Sequence, residues 1–154
     1  TLSTTAQYID LCEYIQHQLK AFGFDIQIEV NQAATNNEMI AFGKKAFFRK
    51  SWVADYPDAE NYLSLYYSKN FAPNGPNYTH FKDEQFDLWY EEAYTITNTE
   101  KREQLYSKMD SLVMQKTPVI VMFYDEVLRF TRKNVSGLGI NPINLLDLKR
   151  VKKN

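Results

Sequence analysis

The sequence predicts an α/β fold in which a mixed sheet is flanked by helices, and three observations carry that expectation. The opening switches hydrophobic period twice: a strand stub at residues 1–3, helical spacing over 4–22, then strict alternation over 24–30. The middle holds two strong helical patterns in tandem, over 83–96 and 98–116. Directly after Pro118 comes the apolar run Val119-Ile120-Val121-Met122-Phe123-Tyr124, the pattern of a strand covered on both faces. The 154 residues read as a single α/β domain. A chain of that size buries roughly 70% of the surface its unfolded form exposes.

Within the first helix, Tyr8, Leu11, Cys12, Ile15, Leu19 and Phe22 fall on one face. Thr4 or Thr5 is placed to cap it, and Gly23 stands where a helix end calls for a left-handed residue. In the next strand Phe24, Ile26, Ile28 and Val30 alternate with Asp25, Gln27 and Glu29. Strand, helix, strand is the start of a parallel unit. A short helix over 33–44, around Met39, Ile40 and Phe42, ends near Gly43. The run Ala46-Phe47-Phe48-Arg49-Lys50-Ser51-Trp52-Val53 then reads as a strand, which the Tyr56-Pro57-Asp58 turn stops.

Residues 61–65 fit another short helix, and Pro73, Asn74, Gly75 and Pro76 make 68–79 a loop. The helix over 83–96 groups Phe86, Trp89, Tyr90 and Ala93; that over 98–116 groups Leu105, Met109, Leu112 and Val113. Thr97 and Glu100 have capping-box spacing. Residues 127–130 and 145–151 read as one or two shorter strands, separated by Gly137, Gly139 and Pro142.

Composition narrows the function. Net charge is −1, from 18 basic and 19 acidic residues mixed along the chain, which gives no field for a polyanion and argues against nucleic acid. The tail Lys149-Arg150-Val151-Lys152-Lys153 reads as a solvated strand edge. No apolar run reaches the about 20 residues of a membrane span. The single cysteine excludes an internal disulfide and a Cys-based zinc site, and Cys12 reads as a buried thiol. His17 and His80 read as exposed and lack partners at ligand spacing, so neither a metal nor a cofactor is expected. No Gly-x-Ser-x-Gly elbow or glycine-rich phosphate loop is present. Asn77-Tyr78-Thr79 and Asn134-Val135-Ser136 match a glycosylation acceptor pattern that is common by chance. Aromatics reach 15%, which serves either a core or a surface both apolar and hydrogen-bonding.

The most informative stretch is Trp52-Val53-Ala54-Asp55-Tyr56-Pro57-Asp58-Ala59-Glu60-Asn61-Tyr62. Two large aromatics and several carboxylates at the end of a rigid element are placed to meet a ligand. Asp55, between Trp52 and Tyr56 and partly desolvated by them, suits an ammonium group. Asp55, Asp58 and Glu60 together also admit a second reading, a divalent-cation site or an acid–base pair of a metal-assisted hydrolase. Against it, Asp58 fits a turn after Pro57 and Glu60 the start of a helix. Arg49 shares strand parity with Asp55, and six extended residues span roughly 20 Å. One end could thus meet a cation and the other an anion, with Lys50 pointing the opposite way. A solvated edge position is the plainer reading of Arg49.

Trp52-Val-Ala-Asp55-Tyr56-Pro57-Asp58, followed by Asn61-Tyr62-Leu63, resembles the signature of the family 5 extracellular solute-binding proteins, which serve dipeptide and oligopeptide ABC importers. Asn77-Tyr78, Phe86-Asp87, Lys101-Arg102, Leu105-Tyr106 and Pro118 before an apolar strand keep the same order. The resemblance covers nearly the whole chain and implies a type II periplasmic-binding-protein-like fold. It matches the family's C-terminal portion: most of the second lobe plus return strands, with 119–154 as the return segment to the first lobe. Asp55 matches the residue that binds a peptide's free amino terminus, Arg49 a position that meets its carboxylate, and Trp52 a pocket wall. The resemblance further implies a peptide ligand, an ABC permease partner, no enzymatic activity, and a periplasmic or cell-surface lipoprotein held to the membrane only by a lipid anchor. Relatives bind nickel chelates, haem or oligosaccharides, which leaves those solutes as the alternative.

Overall fold

The computed structural model describes residues 1–124, 126–141 and 145–154. In chain order its regular elements are β1 (Leu2–Thr4), α1 (Ile9–Lys20), β2 (Ile28–Val30), α2 (Ala33–Ala41), α3 (Glu60–Leu63), α4 (Glu84–Thr95), α5 (Thr99–Lys116), β3 (Val135–Ser136) and β4 (Lys152–Lys153). Short 3-10 turns precede α1 at Ala6–Tyr8 and follow α3 at Ser64–Tyr66 and Ser68–Asn70.

β1 and β2 pair in parallel, Leu2 opposite Ile28 and Thr4 opposite Val30, with α1 as the crossover. This is the opening unit that the switching periodicity predicts, and Gly23 ends the helix region with φ at +87°. On its other edge β1 meets Phe48 in a parallel bridge, closed by Ser3 N–H to the Phe47 carbonyl at 2.9 Å and Arg49 N–H to the Ser3 carbonyl at 3.2 Å. Flanked on both edges, β1 buries all three of its residues. The Ser3 hydroxyl donates to Asn36 Oδ1 at 2.7 Å and so ties α2 to the sheet.

Several expected strands are shorter or absent. The alternation over 24–30 pairs only from Ile28, because β1 offers three residues and Phe24 lies in solvent at 59% exposure. The expected strand over 46–53 contributes the single bridge at Phe48, and past Arg49 the chain leaves the edge, with Val53 exposed. The run after Pro118 forms no strand, and Ile120 to Tyr124 are exposed rather than covered. Apolar side chains favour a strand only where a neighbour takes up the backbone groups, and none lies beside this run among the described residues. Residues 127–130 and 145–151 also form no strand there; β3 and β4 pair antiparallel instead, Val135 with Lys153 and Ser136 with Lys152. Pro142, expected between those strands, lies outside the described residues.

The helices follow the predicted periodicity. Leu63, Phe86, Tyr90, Ala93, Leu105, Met109 and Val113 pack α3, α4 and α5 into one core. Part of the aromatic excess belongs to it: Tyr67 stacks on Tyr90 at 4.5 Å, and Phe81 meets Phe86 edge-on at 5.9 Å. Asp83 caps α4 by accepting from the Gln85 and Phe86 N–H groups. α5 is capped by Asn98, which accepts from Lys101 N–H at 2.9 Å, and not by the Thr97–Glu100 pair. Asn98 is one residue nearer the first helical turn, and its side-chain oxygen reaches the third helical N–H directly. No helix of the described residues is long and apolar enough to cross a membrane.

Candidate functional site

The segment from Arg49 to Tyr62 leaves the sheet edge and runs to α3 without regular pairing, and side chains hold it in place. Arg49 lays its guanidinium over the Tyr8 ring, 3.5 Å from the centroid, and reaches Ser51 Oγ at 3.3 Å. It is half-buried and not the solvated edge residue of the plainer reading. Lys50 sets its ammonium 3.8 Å over the Tyr78 ring and donates to Asn37 Oδ1 at 3.0 Å. Burial of that ammonium lowers the Lys50 pKa below its usual value. Arg49 and Lys50 border the same hollow of about 320 Å³, together with Tyr8, Asn36 and Asn37. The expected opposition of these two side chains fails because strand parity applies only to a regular strand, and pairing stops at Phe48.

Asp55 stands in a bend, not at a strand end, and it is exposed rather than desolvated by its aromatic neighbours. Its backbone N–H points at Asn61 Oδ1 across 3.4 Å. Its carboxylate makes no hydrogen bond or ion pair among the described residues. Trp52 is half-buried, and its indole N–H donates to the same Asn61 oxygen at 2.7 Å. Tyr56 is 44% exposed and donates its hydroxyl to Glu60 Oε2. That bond to a carboxylate raises the Tyr56 pKa, while the Asn61 amide beside it works the other way.

Asp58 and Glu60 take the structural roles that turn chemistry assigns them. Asp58 Oδ1 accepts from the Glu60 N–H at 3.0 Å, and Oδ2 lies 3.3 Å from Arg102 Nη2 of α5. Glu60, buried at the start of α3, accepts from Tyr90 and from Tyr94 (2.9 Å) through Oε1 and from Tyr56 through Oε2. Burial, with Glu60 as its partner, pushes the Tyr90 phenol far up. The three carboxylates therefore do not converge. Among the described residues no group of three His, Cys, Asp or Glu side chains could hold a metal ion.

Of the four residues singled out in the sequence, Trp52, Asp55 and Tyr56 come together around Asn61, while Arg49 lies at the hollow beside Tyr8. Asn61 carries no chemistry by residue type alone; the sequence marked it only as part of the resembling stretch Asn61-Tyr62-Leu63 and gave it no role. The tyrosines around Glu60 come from α4, thirty and more residues away, so no local pattern marks them. His80 is half-buried and not simply exposed: Nε2 lies 3.0 Å from the Ala72 carbonyl and the ring packs against Phe71. Asn77 is wholly buried with its amide engaged, which removes it as a glycosylation acceptor.

Residues 1–74 match the family model described as bacterial extracellular solute-binding proteins, family 5 middle. Over 142 residues the chain is 24% identical to di/tripeptide-binding protein 2 of Pseudomonas aeruginosa, covering 92% of this chain and 27% of that protein. Over these first 74 residues the chain is similar to the family 5 extracellular solute-binding proteins. The chain is also 29% identical over 93 residues to a protein of Escherichia coli named probable deoxycholate-binding periplasmic protein YgiS, covering 60% of the chain and 17% of that protein. It spans about a quarter or less of the length of these relatives.

Two solved structures share the fold. Clavulanic acid biosynthesis oligopeptide binding protein 2 matches with a TM-score of 0.88 at 18% identity, over 99% of this chain and 30% of that one. The periplasmic binding protein DppA of Helicobacter pylori, in complex with a peptide, matches with a TM-score of 0.69 at 24% identity, over 76% and 23%. The architecture is that of the type II periplasmic binding proteins, of which this chain forms a partial domain. Its relatives are solute-binding proteins and not enzymes.

Proposed function

We propose that this chain supplies the ligand-recognition loop of a solute-binding protein that captures short peptides between two lobes for an ABC importer. One observation carries the reading: the exposed Asp55 carboxylate has no hydrogen-bond or ion-pair partner among the described residues, and its backbone N–H shares Asn61 Oδ1 with the fixed Trp52 indole. A carboxylate so placed accepts charge-assisted hydrogen bonds from a peptide's terminal ammonium, while Trp52 and Tyr56 flank the first side chain. Arg49, at the mouth of the hollow, is the residue for the peptide's carboxylate end. The relatives named as di/tripeptide-binding proteins support the choice of ligand.

In this reading the ligand bridges two surfaces and stabilises the closed form by its differential affinity for that form. Residues 119–154 then act as the return segment to a first lobe, in keeping with the exposed apolar side chains from Ile120 to Phe130. The parent protein works in the periplasm or at the cell surface, delivers to a permease, and is held to the membrane by a lipid anchor. Neither cofactor nor metal takes part.

In the full-length protein, Asp55→Ala is expected to weaken binding of a free dipeptide by about tenfold to a hundredfold, the cost of one charged hydrogen bond. The N-acetylated dipeptide should bind almost unchanged. Equal losses for both ligands remove Asp55 from the amine role. A second reading, a non-peptide solute, draws on the relative named as deoxycholate-binding. A bile acid has no ammonium, so Asp55→Ala leaves its affinity unchanged or raises it, and titration with deoxycholate separates the two readings.

A further inference from the structure

Between Trp52 and Asp58 the chain has no helix or strand to hold it, yet Asp55 must keep one position to select for an ammonium. The tether nearest Asp55 itself is the side chain of Asn61. Asn61 is 4% exposed, and its Oδ1 accepts from the Trp52 indole at 2.7 Å and lies 3.4 Å from the Asp55 N–H. Its amide also sits against the Tyr56 hydroxyl. Asn61 itself is fixed by the fold: its N–H donates to the Asp58 carbonyl at 3.1 Å, and its carbonyl accepts from Ser64 Oγ at 2.8 Å. Its neighbour Glu60 is anchored to Tyr90 and Tyr94 of α4. A continuous line of contacts thus runs from the helical core through α3 to the recognition loop.

We propose that Asn61 is the positioning residue of this loop, setting the Trp52 indole and the Asp55 carboxylate at a fixed relation that gives the site its preference for ligands with a free ammonium. The proposal rests on the peptide reading above and assigns Asn61 no contact with the ligand. Its physical basis is preorganisation. A loop held in its binding geometry loses less conformational freedom when the ligand arrives, and a backbone fixed at Asp55 offers its carboxylate to an amine from one place.

The test uses the full-length protein, with alanyl-alanine and N-acetyl-alanyl-alanine as probes. Asn61→Leu is expected to lower the preference for the free amine by about tenfold, the scale of one lost hydrogen bond. It should also shift the Trp52 indole N–H resonance and speed its exchange. Asn61→Asp retains the acceptor oxygen and is expected to keep both the preference and the indole signal. Should Asn61→Leu fail to fold, Trp52→Phe removes the donor and leaves Asn61 in place, and the same preference should fall.

An Asn61→Leu protein (or, in its place, a Trp52→Phe protein) that weakens both probes equally overturns the positioning role, because a merely structural residue acts in that way. An unchanged indole resonance in Asn61→Leu does the same. If Asp55→Ala abolishes the preference while Asn61→Leu leaves it intact, only the assignment of Asn61 falls. If Asp55→Ala leaves the preference intact, the amine reading falls and takes this role with it.

Discussion

Asp58 and Arg102 form an ion pair at 3.3 Å that joins the turn after Pro57 to α5, forty-four residues further along the chain. Both side chains are about one-third exposed, at 30% and 36%, so water screens much of the attraction. The larger share of Asp58's contribution is its acceptance of the Glu60 N–H at the start of α3. Asp58→Asn, which keeps an acceptor there, is expected to cost under about 1 kcal/mol. Asp58→Ala should cost about 1–2 kcal/mol. Urea denaturation of the two variants checks the order, and equal losses would place the stability in the ion pair.

Asn77 organises the loop between α3 and α4. Its Nδ2 donates to the Tyr67 and Phe81 carbonyls at 3.0 and 2.9 Å, and its Oδ1 accepts from the Phe81 N–H at 3.2 Å and from Thr79 Oγ1 at 3.0 Å. Asn77→Ala strands buried backbone groups and is expected to cost about 2–4 kcal/mol. Thermal unfolding measures it. A variant within half a degree of the parent would mean that water replaces the amide.

Alkaline conditions should weaken the fold around α5. Tyr106 is pushed up to about 12, first by burial and then by Asp58 nearby. In the unfolded chain a tyrosine loses its proton near about pH 10. Between those values the unfolded state releases a proton that the folded state retains, so stability is full below pH 10 and falls as pH rises towards 12. Denaturant midpoints at pH 9 and pH 11.5 should differ, and Tyr106→Phe should narrow the gap. An unchanged gap assigns the alkaline loss to other phenols, Tyr90 first, since it too is shifted upward.

The 154-residue chain by itself should bind di- and tripeptides weakly or undetectably. In the proposed mechanism the ligand's affinity comes from contacts on two lobes, and the recognition loop supplies one side of them. Isothermal calorimetry with mixed di- and tripeptides should show no measurable heat. Micromolar affinity would show that this surface suffices without a second lobe.

The proposed site was partly legible. Trp52, Asp55 and Tyr56 were singled out from residue type and turn chemistry, because an acidic, aromatic, proline-bearing turn is a local pattern. Asn61 as their common partner was not, since an asparagine acquires that role only when its oxygen meets two donors at once. The tyrosines around Glu60 were invisible for a similar reason: α4 brings Tyr90 and Tyr94 to it across thirty or more residues.

By itself the sequence determined where the helices lie, the parallel opening of the fold and the chemistry offered at positions 52 to 58, because periodicity, glycine and proline act over a few residues. The tertiary structure decided which apolar runs became strands. Phe48 pairs because β1 lies beside it, while Val119 to Tyr124, richer in strand-forming residues, stays unpaired because nothing among the described residues offers its backbone a partner. A strand is a relation between two segments, and side-chain pattern encodes only one of them.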